Sequence, residues 1–191
     1  MSSISLIVGL GNPGSEYDKT RHNAGFWFVD RLVGQEGAAF SRESKFFGDV
    51  ARLQLNGRRV LVLRPTTFMN KSGRAVASLA SYFDVKPSEI LVIHDELDLN
   101  PGSVRLKLGG GHGGHNGLRD IVSHLGTKEF ARIRVGVGHP GCSSKVLNYV
   151  LGKPSTGDRD LIEEGFDRAF QQLKVILEGN SQKVMSVLNS I

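Results

Sequence analysis

The sequence predicts an α/β fold: a three-layer α/β/α domain with a mixed, mostly parallel twisted sheet and C-terminal helices. Three observations carry that reading. Short continuous apolar runs, such as Ser5 to Val8 and Ile90 to Ile93, are bounded by turn residues or polar groups, as buried strands are. They alternate with segments whose apolar residues recur at helical spacing, the order expected of strands joined by crossover helices. A single Asn56-Gly57 dipeptide joins two β-rich runs and adds an antiparallel hairpin, which makes the sheet mixed.

The first strand, Ser5 to Val8, ends at Gly9, and Asn12-Pro13-Gly14 then supplies turn chemistry. From Asn23 to Val33 the residues Phe26, Val29, Leu32 and Val33 fall at helical spacing, with Thr20 upstream as a cap, and Gly34 to Ala39 is a loop. Phe47 to Leu55 and Arg59 to Leu63 are the arms of the hairpin. A loop from Arg64 to Gly73 leads into a helix through Ala75, Val76, Leu79 and Phe83, which ends before Pro87. Glu89 to His94 is the next strand, with Asp95 at or just past its end. Val104 to Leu108 alternates apolar and basic residues, as a half-exposed strand does. A glycine loop, Gly109 to Gly117, precedes a helix through Leu118, Ile121 and Leu125, and Phe130 to Val137 is a strand. Ser144 to Leu151 forms a short helix, Asp158 to Glu178 one long amphipathic helix, and Val184 to Leu188 belongs to a last helix.

With 191 residues, and neither a repeat nor a linker, the chain is expected to form one domain over 1–191. Its 24 Lys and Arg against 19 Asp and Glu give a net charge of +5, which leans towards a polyanionic partner such as nucleic acid. The only cysteine, Cys142, permits no intramolecular disulfide and fits a reducing compartment. The first apolar run is too short to span a membrane and no basic segment precedes it, so a cytoplasmic protein without membrane association is expected.

Gly9, Gly11 and Gly14 satisfy the G-x-G-x-x-G pattern of dinucleotide-binding folds. That motif needs its third glycine in a helix opening directly from the strand, so that the helix N-terminus meets the pyrophosphate. Here SEYDKTRH follows Gly14, a polar aperiodic loop, and Asp30, at the offset of the ribose-binding acid, falls within a helix. No cofactor is expected.

The segments GLGNPG, TRHNAG, PTTFMNKSG, VIHDELD, KLGGGHGGHNGL and RIRVGVGHPG, in this order from Leu6 to about Pro154, closely resemble bacterial peptidyl-tRNA hydrolases. The resemblance implies a monomeric, metal-independent enzyme that hydrolyses the ester between a peptide and the 3′-terminal ribose of tRNA.

The residues support that chemistry on their own terms. Ester hydrolysis by water needs a base for the water and donors for the developing oxyanion. His22 is the candidate base, because an imidazole titrates near neutrality. Taken alone, a histidine beside a helix start is more often structural or simply exposed. Asp95 changes that balance: it sits where an apolar strand ends, the edge that carries sites in α/β sheets, and its carboxylate can orient an imidazole and raise its basicity. The resemblance assigns these roles to the same two positions, with no serine nucleophile. Asn12, Asn70 and Asn116 offer neutral donors and acceptors suited to a peptide backbone, although asparagine is also a common turn and cap residue. The resemblance implies that Asn12 senses acylation of the amino group, that Asn70 and Asn116 hold substrate and water, and that Tyr17 and Phe68 line the site for the tRNA 3′ end.

Arg105 and Lys107 alternate on one face of a strand, and Arg134 lies on the strand that follows the glycine loop. The resemblance points to Lys107 and Arg134 as a clamp on the tRNA 5′-phosphate, with the acceptor stem as partner. His112 and His115 have His-x-x-His spacing, but zinc needs further ligands in a suitable arrangement, and no metal is expected. His94, His124 and His139 read as structural or exposed. The alternative to an enzyme is a non-catalytic RNA-binding protein on the same scaffold, which turnover on an N-acylated aminoacyl-tRNA distinguishes.

Overall fold

The computed structural model describes residues 2–190. Seven strands form one sheet: β1 (Leu6–Gly9), β2 (Ser41–Glu43), β3 (Gly48–Leu55), β4 (Arg58–Pro65), β5 (Ile90–Glu96), β6 (Val104–Leu108) and β7 (Ala131–Gly136). Their order across the sheet is β2-β3-β4-β1-β5-β7-β6. The pairs around β1 and β5 are parallel, and the two flanks are antiparallel, so the six pairings divide evenly between the two kinds.

Alternation along the strands sorts the core. Leu6, Val8, Ile90 and Val92 face α2 (Ser72–Tyr82) and α3 (Asn116–Leu125), while Ile7, Leu91 and Ile93 face the other side. There they pack with α1 (Ala24–Gln35), α5 (Thr156–Gln171), α6 (Leu173–Leu177) and α7 (Ser181–Leu188). A short α4 (Val146–Val150) lies outside these layers. The three-layer arrangement is the one the apolar pattern predicts. Among the described residues no helix is long and apolar enough to cross a membrane.

Local departures have physical causes. Asn56 (φ 52°) and Gly57 (φ 74°) adopt the two positive φ angles of a tight hairpin turn. Thr20 does not cap α1. A turn over Arg21–Asn23 intervenes, and the Thr20 hydroxyl donates to the Tyr17 carbonyl at 2.9 Å. The long C-terminal helix is broken at Gln172, whose N–H bonds the Ala169 carbonyl at 3.0 Å in a tightened turn; beyond it Leu173, Ile176 and Leu177 reach the core. β2 is a three-residue polar edge strand with no hydrophobic signal to announce it.

The glycines of the first loop serve close packing. A Cβ on Gly25 would lie 2.4 Å from both the Ile93 carbonyl oxygen and the Leu10 nitrogen, and one on Gly9 2.4 Å from the Gly25 carbonyl. Helix α1 therefore starts with its backbone against the carboxyl ends of β1 and β5. The pyrophosphate geometry is absent: Gly14 stands in an open turn with φ 109°, ten residues before α1 begins at Ala24.

Candidate active site

The contact between α1 and the sheet brings His22, at the helix entrance, onto Asp95, the penultimate residue of β5. His22 Nδ1 lies 2.9 Å from Asp95 Oδ1 and 3.0 Å from Oδ2. A ring nitrogen that faces both oxygens of a carboxylate carries the proton, so Nε2 is left as the basic nitrogen. The side chains are 13% and 2% exposed. Burial pulls the His22 pKa down, but the charge and hydrogen bond of Asp95 outweigh it and raise the value above 6.5. Burial alone would raise the Asp95 pKa; the neighbouring His22 and His115 reverse this and hold the carboxyl well below the usual carboxylate range.

His115 is the residue that sequence reasoning left out of the site. Its Nε2 lies 2.9 Å from Asp95 Oδ1, and its ring centroid is 5.0 Å from that of His22. It is the N-cap of α3, where its Nδ1 accepts the Leu118 N–H at 3.3 Å. The position just before a helical run was a capping signal, but histidine is not a usual cap and its glycine-loop setting hid it. His94, by contrast, is structural. It is fully buried with its ring centroid 5.1 Å from that of His115, its Nδ1–H donates to the Asp95 carbonyl at 2.8 Å, and burial, with His115 adding to it, pushes its pKa down to about 3.

The ligand-type atoms of His22, Asp95 and His115 lie within 4.8 Å of one another, a composition that metals also use. Because Nδ1 of His115 already accepts the Leu118 N–H, a cation on Nε2 would require the imidazolate. The trio fits a hydrogen-bonded cluster better than a metal centre.

These groups open into a cleft of about 460 Å³, lined also by Glu96, Leu97, Asp98, Gly113, Gly114, Asn116, His139, Ser143 and the α4 residues Val146, Leu147 and Val150. A second hollow of about 500 Å³, lined by Asp18, Lys19, Trp27, Lys153 and Arg159 among others, holds no such acid–base pair. There Arg159 stacks 3.6 Å above Trp27 and pairs with Glu163.

The asparagines divide. Asn12 is buried, and its Oδ1 accepts the Met69 N–H at 2.7 Å, so the NH₂ end is the one it can offer to a ligand. Its backbone is held by a residue the sequence did not single out, Asn23: the Asn12 N–H donates to Asn23 Oδ1 at 2.9 Å, and Asn23 Nδ2 donates to the Asn12 carbonyl at 3.0 Å. Asn116 is exposed at the first turn of α3 and lines the cleft; Asn70 is exposed in the turn Met69–Lys71, away from the cleft lining. Tyr17 and Phe68 meet edge to face, with centroids 6.2 Å apart and Phe68 57% exposed. Arg21, beside His22, stacks 3.9 Å over Tyr149 of α4.

The cations lie side by side on one face of β6 and β7, where Arg105 pairs in register with Arg134, and Lys107 with Arg132. Lys107 is exposed. Arg134 is already engaged by Glu96, Nε to Oε1 at 2.6 Å. Arg132, also unremarked in the sequence, is buried and donates to the Gly109 and Gly111 carbonyls, tying down the glycine loop.

Comparison with known proteins places these features in context. A family model described as peptidyl-tRNA hydrolase matches residues 6–191. The peptidyl-tRNA hydrolase of Pectobacterium carotovorum is 55% identical over the whole chain, covering 98% of that protein. That of Neisseria meningitidis is 52% identical over 99% of this chain and 98% of its own. The crystal structure of peptidyl-tRNA hydrolase from Acinetobacter baumannii matches with a TM-score of 0.95 at 48% identity, over 99% of this chain and 96% of that one.

Proposed function

This chain belongs to the peptidyl-tRNA hydrolase family, and we propose how it hydrolyses peptidyl-tRNA: water activated by His22, with Asp95 behind it, attacks the ester that joins a peptide to the 3′-terminal ribose. The observation that carries this reading is the 2.9 Å contact between His22 Nδ1 and Asp95, which leaves Nε2 as the basic nitrogen of a ring that lines the cleft. Nε2 takes a proton from the water as its oxygen bonds to the ester carbonyl. Asp95 stabilises the imidazolium formed, as the carboxylate of a hydrolytic triad does. The carbonyl oxygen becomes an oxyanion, to which Asn116, in the cleft lining, offers an uncharged donor. The intermediate collapses with cleavage of the bond to the ribose oxygen, which receives the proton from Nε2. Peptide acid and tRNA leave, and His22 is neutral again.

Asn12 selects the acylated substrate. With its Oδ1 occupied by the Met69 N–H, it presents a donor. A peptidyl group offers that donor a carbonyl oxygen, whereas an unacylated aminoacyl group offers an ammonium, itself only a donor. Asn70 adds a further amide contact to the substrate. Tyr17 and Phe68 supply faces for the 3′-terminal nucleotides, a contact worth about 1–3 kcal/mol per stacked base. Lys107 and Arg134, with Arg105 beside them, hold the backbone of the acceptor stem and its 5′-phosphate. The protein works as a cytoplasmic monomer.

The test is single-turnover hydrolysis of an N-acetylated aminoacyl-tRNA by the wild type and His22→Ala, with tRNA binding measured in parallel. Loss of a general base should slow hydrolysis by about 10²–10⁴-fold, with binding within a few-fold of wild type. Near-normal hydrolysis by His22→Ala overturns the assignment.

A further inference from the structure

We infer that His115 is a positioning residue, locked as one neutral tautomer by the helix it caps, and that it shares Asp95 with His22 so that His22 stays available as a base. The inference rests on the proposed roles of His22 and Asp95.

The lock is geometric. Residue 115 has φ −71° and ψ 115°, the extended conformation of an N-cap, and Nδ1 accepts the Leu118 N–H, one of the unpaired donors of the first turn of α3. A proton on Nδ1 would set one N–H against another at the positive end of the helix dipole. The single ring proton is therefore on Nε2, which points at Asp95 Oδ1 from 2.9 Å, with the side chain 9% exposed. The cap fixes the proton, and the proton fixes the bond to Asp95.

The consequence falls on His22. Asp95 takes a ring N–H from each histidine, and a carboxylate stabilised by one donor attracts a proton on the other less strongly. Without His115 the whole charge of Asp95 would act on the His22 imidazolium in a largely buried site, and His22 would hold its proton at higher pH. The other groups around His22 do not duplicate this effect. Glu96 is paired with Arg134, His94 is buried with its proton on the Asp95 carbonyl, and Asp98 and His139 stand along the cleft lining. Arg21 is stacked on Tyr149, and α4 adds apolar side chains to the cleft.

Two variants separate the roles. His115→Asn can still cap α3 through its amide oxygen but is too short to donate to Asp95; His115→Ala does neither. NMR titration of the His22 ring reads its pKa without reference to turnover, and the pH profile of kcat/KM on N-acetylated aminoacyl-tRNA reads the acidic limb. Both variants are expected to move the His22 midpoint up by about 0.5–1 unit, and His115→Asn to keep a melting temperature closer to wild type than His115→Ala. In the wild type at neutral pH, the NMR signature of His115 Nδ1 should be that of an unprotonated acceptor nitrogen, as its bond from the Leu118 N–H requires. A His22 midpoint unmoved or lowered in His115→Asn, or a protonated Nδ1, overturns the inference. Failure of the base assignment looks different: the NMR midpoint moves as expected while the kcat/KM limb stays where it was.

Discussion

Asn12 and Asn23 clasp each other through two hydrogen bonds, at 2.9 and 3.0 Å, and so close the loop that separates the first strand from the first helix. Asn23 is 1% exposed, so its amide has no water to fall back on. Asn23→Ala strands the N–H and C=O of Asn12, at about 1–3 kcal/mol for each buried group left unpaired. Urea unfolding should show a loss of about 2–4 kcal/mol, together with a lower kcat. A loss below about 0.5 kcal/mol would mean that the loop does not depend on the clasp.

Gly25→Ala tests whether backbone contact positions the base. The added methyl would stand 2.4 Å from two main-chain atoms, one in β5 and one just past the end of β1, neither of which can rotate away. Helix α1 must lift, and His22 lifts with it. A destabilisation of about 3 kcal/mol or more and a kcat loss of at least about tenfold are expected. Wild-type activity in a fully folded Gly25→Ala protein would refute the idea.

Asp95→Asn keeps the shape of the side chain and removes its charge. An amide can present its NH₂ to His22 Nδ1 and so favour the wrong tautomer, which in a related triad costs about 10⁴-fold in kcat. In the wild type His22 titrates above 6.5, so kcat/KM should fall on the acid side through a midpoint above that value. The residual activity of Asp95→Asn should show the midpoint at lower pH, because the partner that raised it is gone. A midpoint that stays in place would remove Asp95 from the proton inventory.

His94 predicts acid sensitivity of the fold. Its pKa is lowered from 6.5 to about 3 on folding, so between these values the unfolded chain binds a proton that the native protein does not. Its contribution is intact above pH 6.5 and is lost as the pH falls, at about 1.4 kcal/mol per unit. Asp95 acts lower: its depressed pKa favours folding above about pH 4 and gives way only below it. Denaturant titrations at pH 7, 6 and 5 should show the slope, and His94→Asn should flatten it. Equal slopes would place the acid sensitivity elsewhere.

The cation face predicts a difference between neighbours. Lys107 has no acidic partner among the described residues, whereas Arg134 is paired with Glu96 at 2.6 Å. Lys107→Gln should reduce the slope of log K against log salt for tRNA binding by about 0.7–0.9. Arg134→Gln should reduce it by less, and Glu96→Gln should increase it. Identical slopes for all three variants would show that this face does not meet phosphate.

Much of this was legible in the chain. The strands around β1 and β5 were readable because both faces are buried and the apolar runs are unbroken, and Asp95 was readable because it ends such a run. The strand-end rule of α/β sheets singled out Asp95, and the resemblance to the family joined it to His22, distant in sequence. His115, Asn23 and Arg132 were not legible, for a common reason. Each acts through a bond to backbone or to a residue on another element, and such a bond leaves no period or spacing behind. Arg134 was legible as a cation but not as half of an ion pair, since Glu96 meets it only across paired strands.

His22 and Asp95 are separated by 73 residues, and the carboxylate reaches the imidazole only when β5 has paired beside β1. His115 and Asn116 follow later still. During its own synthesis, then, the chain exists as a peptidyl-tRNA long before it can cleave one. The base leaves the ribosome first, its partner much later, and the cap of α3 after both. A hydrolase assembled in that order has no complete site until synthesis has passed Asn116.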